Sequence, residues 1–188
     1  LTVGDDFKFG KNQSGDVKDL KNYSSKGFFS LNIENKHCID NTRISSTLIR
    51  DAITRNNFTL ASKMLGRPYS ISGKIIHGEK RGSKIGFPTA NIKLKENVLL
   101  GGVYAVSTYI DGKEYYAVAN IGYKPTFDGR KYLFEAHIFN LTANLYGKRL
   151  EFKIVAKIRD TKKFTSIEEL KESINHDINS AKVIFKIK

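Results

Sequence analysis

The sequence predicts a mainly β protein: a barrel of six short antiparallel strands with a C-terminal helix, set behind the tail of an α/β unit. Three observations carry that prediction. Residues 69–158 hold six apolar runs separated by turns, with no helical spacing between them, and closing such strands into a barrel removes their exposed edges. Asp111-Gly112 is a two-residue hairpin signal, since both positions tolerate positive φ, so its flanking runs pair antiparallel. Ahead of Pro68 the apolar spacing is helical, and the change of period at Gly66 and Pro68 marks a domain boundary. The expected domains are residues 1–65 and 66–188.

In chain order, Leu1 to Val3 reads as the end of a buried strand whose partners lie elsewhere, and the opening without Met suggests a chain cut from a longer one. Asp16 to Ser24 reads as a short helix, Phe28 to Ile33 alternates like a strand, and Ser46 opens a helix with hydroxyls at its front. A further helix from Asn57 to Leu65 is expected to bury Leu60, Ala61, Met64 and Leu65 and to stop at Gly66. The six strands are Tyr69 to His77, Ala90 to Leu94, Gly102 to Ile110, Tyr115 to Ile121, Leu133 to Phe139 and Arg149 to Ile158. Ser166 and Glu169 form a capping box. Behind it, Ile167, Leu170, Ile174, Ile178, Ala181 and Phe185 fall on one helical stripe able to pack on the barrel.

Composition narrows the function. With 188 residues, 40% hydrophobic content and 3 Pro, the chain is expected to fold. No apolar stretch approaches the roughly 20 residues of a membrane span, and no secretory signal pattern opens the chain, so no membrane partner is expected. Cys38 is the single cysteine, which rules out an internal disulfide and a thiolate zinc site and fits a reducing cytoplasm. The net charge of +13 falls mostly after residue 65 and favours an anionic partner, although lysines that merely keep the surface soluble explain it as well.

The stretch Gly78-Glu79-Lys80-Arg81-Gly82-Ser83-Lys84-Ile85-Gly86 is a basic, glycine-bearing loop entering a strand. Its glycines would let backbone N–H groups approach phosphate oxygens, with Lys80, Arg81 and Lys84 as countercharge, yet its spacing is not G-x-x-x-x-G-K-S/T. A solvated turn has the same composition. Just beyond, Thr89 and Asn91 are two apart on an extended segment, so their side chains share a face and offer hard oxygen donors suited to Mg²⁺ carried in by a nucleotide. They could equally satisfy the turn.

Glu135 is a lone carboxylate in the apolar strand Leu133-Phe134-Glu135-Ala136-His137-Ile138-Phe139. Facing a partly buried pocket it could accept a hydroxyl proton; facing solvent it would be an ordinary surface residue. His137 shares its face, but His37, His77, His137 and His176 show no metal-binding spacing. In Ile44-Ser45-Ser46-Thr47-Leu48-Ile49-Arg50, hydroxyls stand at a helix start with an Arg one turn inside, which is either an anion site or plain N-capping.

Gly86-Phe87-Pro88-Thr89-Ala90-Asn91 resembles the riboflavin kinase module of bacterial bifunctional riboflavin kinase/FAD synthetases. So do Gly101-Gly102-Val103-Tyr104-Ala105-Val106, Ala119-Asn120-Ile121-Gly122-Tyr123-Lys124-Pro125-Thr126-Phe127, the Glu135 strand, Leu145-Tyr146-Gly147, and Ile158-Arg159-Asp160 with Lys163-Phe164. The likeness runs over about residues 66–185. Val3-Gly4-Asp5-Asp6-Phe7-Lys8-Phe9-Gly10 and the Ser45 to Arg50 turn are similar to the later half of that family's FMN adenylyltransferase domain, an α/β nucleotidyltransferase.

The resemblance implies a Greek-key-like barrel that transfers the γ-phosphoryl group of ATP to the 5′-hydroxyl of riboflavin, giving FMN. It further implies that Thr89 and Asn91 hold Mg²⁺ and the nucleotide phosphates, that the loop with Gly78, Lys80, Gly82, Lys84 and Gly86 folds over those phosphates, and that Glu135 is the base. Arg159 is expected on the flavin side. Asp6, Phe7, Ser45, Ser46, Thr47 and Arg50 would line the adenylyltransfer site, with Arg50 on phosphate. The family's His-X-Gly-His-type segment is absent from this sequence, so the chain as given is not expected to make FAD. The contrasting reading is a basic barrel binding single-stranded nucleic acid through Tyr104, Tyr109 and Tyr115; their alternation with core positions argues instead for packing. Small-molecule substrates are therefore the expected partners.

Overall fold

The computed structural model describes residues 1–78, 81–95, 98–126 and 129–187, except the side chains of Arg81, Pro125, Thr126 and Arg130. The chain forms two compact units, Leu1–Ser46 and Thr47–Lys188. In the first, β1 (Thr2–Gly4) and β2 (Asn32–Glu34) are joined through α1 (Val17–Ser25) and pair in parallel, Val3 opposite Ile33. The N-terminal strand thus has a partner within the chain. The Asp16 carboxylate accepts the N–H groups of Lys18 and Asp19, while Asp19 accepts that of Asp16, which fixes the helix start. The strand expected from Phe28 begins only at Asn32, and Phe28 is exposed, edge-on to Tyr23. β3 (Cys38–Ile39) and β4 (Thr42–Arg43) make a hairpin turned by Asp40 and Asn41, both at positive φ.

In the second unit, α2 (Ser46–Thr54), which starts at the division, is followed by α3 (Phe58–Leu65). Asn57 Oδ1 caps the Leu60 N–H, and Gly66 ends α3 in the left-handed conformation at φ 67°. Ala52, Ile53, Phe58 and Ala61 join the barrel core. Leu60, expected inside, is exposed: Phe58 and Ala61, three apart, define the inward face, and Leu60 lies off it. Phe58 stacks on Tyr69 and meets Tyr104 edge-on.

The six strands are β5 (Ser70–Lys74), β6 (Ala90–Lys93), β7 (Gly102–Ile110), β8 (Lys113–Thr126), β9 (Gly129–Ile138) and β10 (Arg149–Arg159). All neighbours are antiparallel in the order β5-β10-β7-β8-β9-β6, so β10 returns beside β7 after the β7-β8-β9 meander, a Greek key. Asp111 (φ 49°) and Gly112 (φ 80°) turn β7 into β8 as expected. The sheet's two edges meet through a bridge in which the Ile76 N–H donates to the Asn91 carbonyl over 2.9 Å. A short helix, α4 (Arg81–Lys84), interrupts the basic loop between β5 and β6.

Inside the barrel, Tyr104, Phe134, Phe152, Ile92 and Ile121 are almost wholly buried. β7 is buried on both faces, because α5 (Ile167–Phe185) lies on the outer face of β7 and β8 through Ala105, Val118, Ala181, Ile178 and Phe185. Ile167 is exposed, outside that contact. The cap is displaced by one residue: Ser166 Oγ accepts the Glu169 N–H, but the Glu169 carboxylate takes the N–H and hydroxyl of Thr165, not the N–H of Ser166.

Candidate active site

Alternation along β6 sends Ala90 and Ile92 into the core and leaves Asn91 on the outer face. The register places Glu135 of β9 directly opposite Asn91, and Asn120 of β8 directly opposite Glu135, so the three form one outward row across the sheet. Asn91 is nonetheless buried, because the segment after β5 covers it. Gly78 lies so close to its amide that a Cβ there would stand 2.7 Å from Nδ2. Asn91 Nδ2 donates to the Thr89 carbonyl (3.1 Å) and toward its hydroxyl (3.4 Å), which confirms that the two side chains lie together. Asn91 Oδ1 has no hydrogen-bond partner, alone among buried side-chain oxygens and nitrogens of the described residues. Leaving such a group unpaired costs about 1–3 kcal/mol.

The overlying loop is pinned at several points. Phe87 N–H returns to the Gly82 carbonyl at 2.8 Å, and a Cβ on Gly82 would stand 2.3 Å from the Phe87 carbonyl oxygen, so only glycine fits there. Gly86 turns at φ 96°, and Lys84 is exposed. Lys80 lies outside the described residues. His137, beyond Glu135 on the same face, sits with Nδ1 2.9 Å from the Pro88 carbonyl, which can only accept, so Nδ1 carries the proton. Its ring meets Phe87 edge-on. Beside Thr89 opens a cavity of about 290 Å³, whose wall includes Ile75, Ser83, Ala136, Asn144 and Tyr146. His77 stacks on Tyr146 with ring centroids 3.7 Å apart.

Glu135 has a side chain only 16% exposed, and its carboxylate pairs with the Lys124 ammonium. It faces neither the core nor open solvent. Arg159 is committed elsewhere: Nε and Nη2 bind Asp177 of α5 at 2.8 and 2.7 Å, Nη1 donates to the Asp160 carbonyl, and the guanidinium lies over Phe164. Asp177 is almost wholly buried. This fork anchors the turn after β10, and Thr161 Oγ1 comes within 3.8 Å of where a Cβ on Gly122 of β8 would stand. Lys124, His137 and Asp177 were not given site roles by the sequence. Lys124 and Asn120 could have been found from their even spacing on one strand face, and Asp177 from its place among the buried Ser173 and Ala181 of α5.

In the first unit, Asp6 pairs with Arg43 at 2.5 Å, whose hydrogen bond holds the Asp6 carboxyl below its ordinary range, and Phe7 stacks on Phe9. Ser45 and Ser46 lie in that unit, and Thr47 and the exposed Arg50 in the second. Of the aromatics proposed to stack bases, Tyr104 is buried and hydrogen-bonded to the Gly101 carbonyl, Tyr115 packs against the core, and Tyr109 is exposed beneath Lys153. Among the described residues, no group of three or more His, Cys, Asp or Glu side chains could hold a metal, and no helix is long and apolar enough to cross a membrane.

Comparison with known proteins follows the same lines. Residues 65–185 match the family model described as riboflavin kinase, and residues 1–48 that described as FAD synthetase. Over 187 residues the chain is 42% identical to the bifunctional riboflavin kinase/FMN adenylyltransferase of Haemophilus influenzae, covering 98% of this chain and 61% of the relative. To the Escherichia coli protein of the same description it is 38% identical, covering 98% and 60%. A solved structure described as a macrolide-efflux protein from Streptococcus pneumoniae superposes with a TM-score of 0.75 at 34% identity, covering 96% of this chain and 60% of that one. The chain therefore spans about three fifths of the length of these relatives.

Proposed function

The chain belongs to the riboflavin kinase family, and on that premise we propose that its barrel transfers the γ-phosphoryl group of ATP to the 5′-hydroxyl of riboflavin, giving FMN and ADP. One observation carries the proposal: a buried, unpartnered Asn91 Oδ1 beside the Thr89 hydroxyl stands in register with a shielded carboxylate, Glu135. On this reading the row sets a nucleotide-phosphate site and a base on adjacent strands.

Thr89 and Asn91 are neutral, hard oxygen donors, which is what Mg²⁺ takes when phosphates and water complete its shell. These two residues would hold it, and it would supply charge neutralisation on the β- and γ-phosphate oxygens. The nucleotide occupies the cavity beside Thr89, with Gly78, Lys80, Gly82, Lys84 and Gly86 of the loop over its phosphates. Glu135 accepts the proton of the 5′-hydroxyl as that oxygen bonds to the γ-phosphorus and the bond to the ADP oxygen breaks. Positioning and charge do most of the work in such a transfer, so a covalent intermediate on the protein is unnecessary. Arg159, fixed to Asp177, sets the course of the segment that passes Gly122 on the flavin side of Glu135.

Packing and family likeness divide the chain differently. Residues 47–65 pack with the barrel, yet we assign residues 66–188 as the kinase module and 1–65 to the adenylyltransferase part of a bifunctional protein. Asp6, Phe7, Ser45, Ser46, Thr47 and Arg50 belong to that second activity. An exposed, unpaired Cys38 suits a reducing cytoplasm.

Incubation of the chain with riboflavin and Mg-ATP, followed by chromatography of the flavins, is expected to give FMN. Folded protein that yields none would overturn the kinase reading. Asn91→Ala is expected to keep the ligand-free thermal midpoint within a few degrees of the parent, because it also removes an unpaired buried oxygen, while abolishing the upward shift that Mg-ATP gives the parent. An equal shift in both proteins would take the metal site away from Asn91.

A further inference from the structure

The geometry points to Lys124 as a second charged residue of the transfer, one that holds Glu135 in place before reaction and binds the phosphoryl group after it has moved to the flavin. The inference rests on the kinase reading above. Lys124 lies on the outer face of β8 with Asn120 and Gly122, and its ammonium is the partner of the Glu135 carboxylate. Glu135 is mostly shielded, whereas Lys124 keeps 41% of its side chain exposed, so the cation is the member of the pair that an incoming solute can reach.

A second observation concerns the strand register. Lys124 of β8 stands directly opposite Lys131 of β9, and both side chains project on the face that carries Glu135. Two like charges directly opposite on an antiparallel ladder destabilise it, and a single carboxylate offsets only one of them. Among the described residues, the charged side chains of this face are Lys124, Lys131, Lys93 of β6 and Glu135, with Asn91, Asn120 and His137 beside them. The patch thus carries an excess of positive charge next to the base, and that excess suits a phosphomonoester better than an uncharged alcohol.

The reaction uses both states of Lys124. Paired with Glu135, it holds the carboxylate aimed outward. When the 5′-hydroxyl gives its proton to Glu135, the carboxyl becomes neutral and the ammonium loses its counterion. At the same moment the new oxygen–phosphorus bond brings a phosphate dianion to the acceptor oxygen, while the electrons of the broken bond leave with ADP. Lys124 exchanges one anion for the other, which stabilises charge at the acceptor end of the transfer.

Lys124→Met and Lys124→Arg separate this from a mere surface ion pair. Riboflavin and FMN affinities are measured by flavin fluorescence without ATP, and kcat is measured with Mg-ATP. Lys124→Met is expected to weaken FMN binding by about tenfold and kcat by about 10- to 100-fold, to leave riboflavin affinity within about twofold, and Lys124→Arg to restore most of both losses. The proposal fails if Lys124→Met leaves FMN affinity and kcat within about twofold of the parent, or if it weakens riboflavin and FMN equally, as a structural prop would. A parent that binds both flavins but makes no FMN would defeat the kinase reading alone, since the preference for FMN over riboflavin is read without turnover.

Discussion

Glu135→Gln is expected to lower kcat for FMN formation by about 10²- to 10⁴-fold while Mg-ATP binds as before. Glutamine keeps the volume and the strand pairing of Glu135 with Asn91 and Asn120, so neither the barrel nor the nucleotide side should change. What disappears is the one carboxylate of the row, and with it the acceptor for the hydroxyl proton. The effect should appear in kcat and kcat/KM together, because the lost interaction is made at the transition state. Steady-state rates with separate nucleotide titration check this, and a variant turning over at the parental rate would remove Glu135 from the chemistry. If Lys124 acts through the same charge, Lys124→Met added to Glu135→Gln should cost much less than it does alone.

The second large effect is on stability. Asp177→Ala is expected to cost about 3–5 kcal/mol, because it strands the Arg159 guanidinium, which is 24% exposed, without its buried fork partner. For a chain of this size that corresponds to a fall in thermal midpoint of roughly 6–20 °C. Asp177→Asn, which can still accept one of the two hydrogen bonds, should lose less. The fork ties α5 to the end of β10 and orders Asp160 to Phe164, so the Asn variant, if folded at assay temperature, should raise KM for riboflavin more than it lowers kcat. Denaturant unfolding of the Ala variant within about 1 kcal/mol of the parent would show that Arg159 finds other partners.

The barrel was readable because its causes are local. Apolar alternation, the Asp111-Gly112 turn and the Asn57 and Gly66 caps each act within a few residues, and each appears where expected. Strand ends were less legible. β8 runs to Thr126, past the apolar run ending at Ile121, because ladder hydrogen bonds need only backbone. α4 is a single turn inside a loop, too short to leave a periodic signal. Among site residues, Thr89 with Asn91 follows from strand spacing and Glu135 from being a charge among apolar neighbours. Lys124 becomes a neighbour of Glu135 only through the β8–β9 register, and Arg159 meets Asp177 only once α5 folds back on the sheet, so neither pairing has a signature in the linear chain.

The bridge from Ile76 to Asn91 joins the first and last strands of the sheet, so the residue assigned to the nucleotide's metal also seals the barrel wall. A nucleotide bound at Asn91 as proposed would favour the form in which this bridge is made, so occupancy and closure would be linked equilibria. At a hundredfold excess over its dissociation constant, the ligand would stabilise the sealed state by about 2.7 kcal/mol. A ligand that holds this seam shut would restrict protease access to the interior. Nucleotide supply would in that way govern the lifetime of the folded chain as well as its turnover.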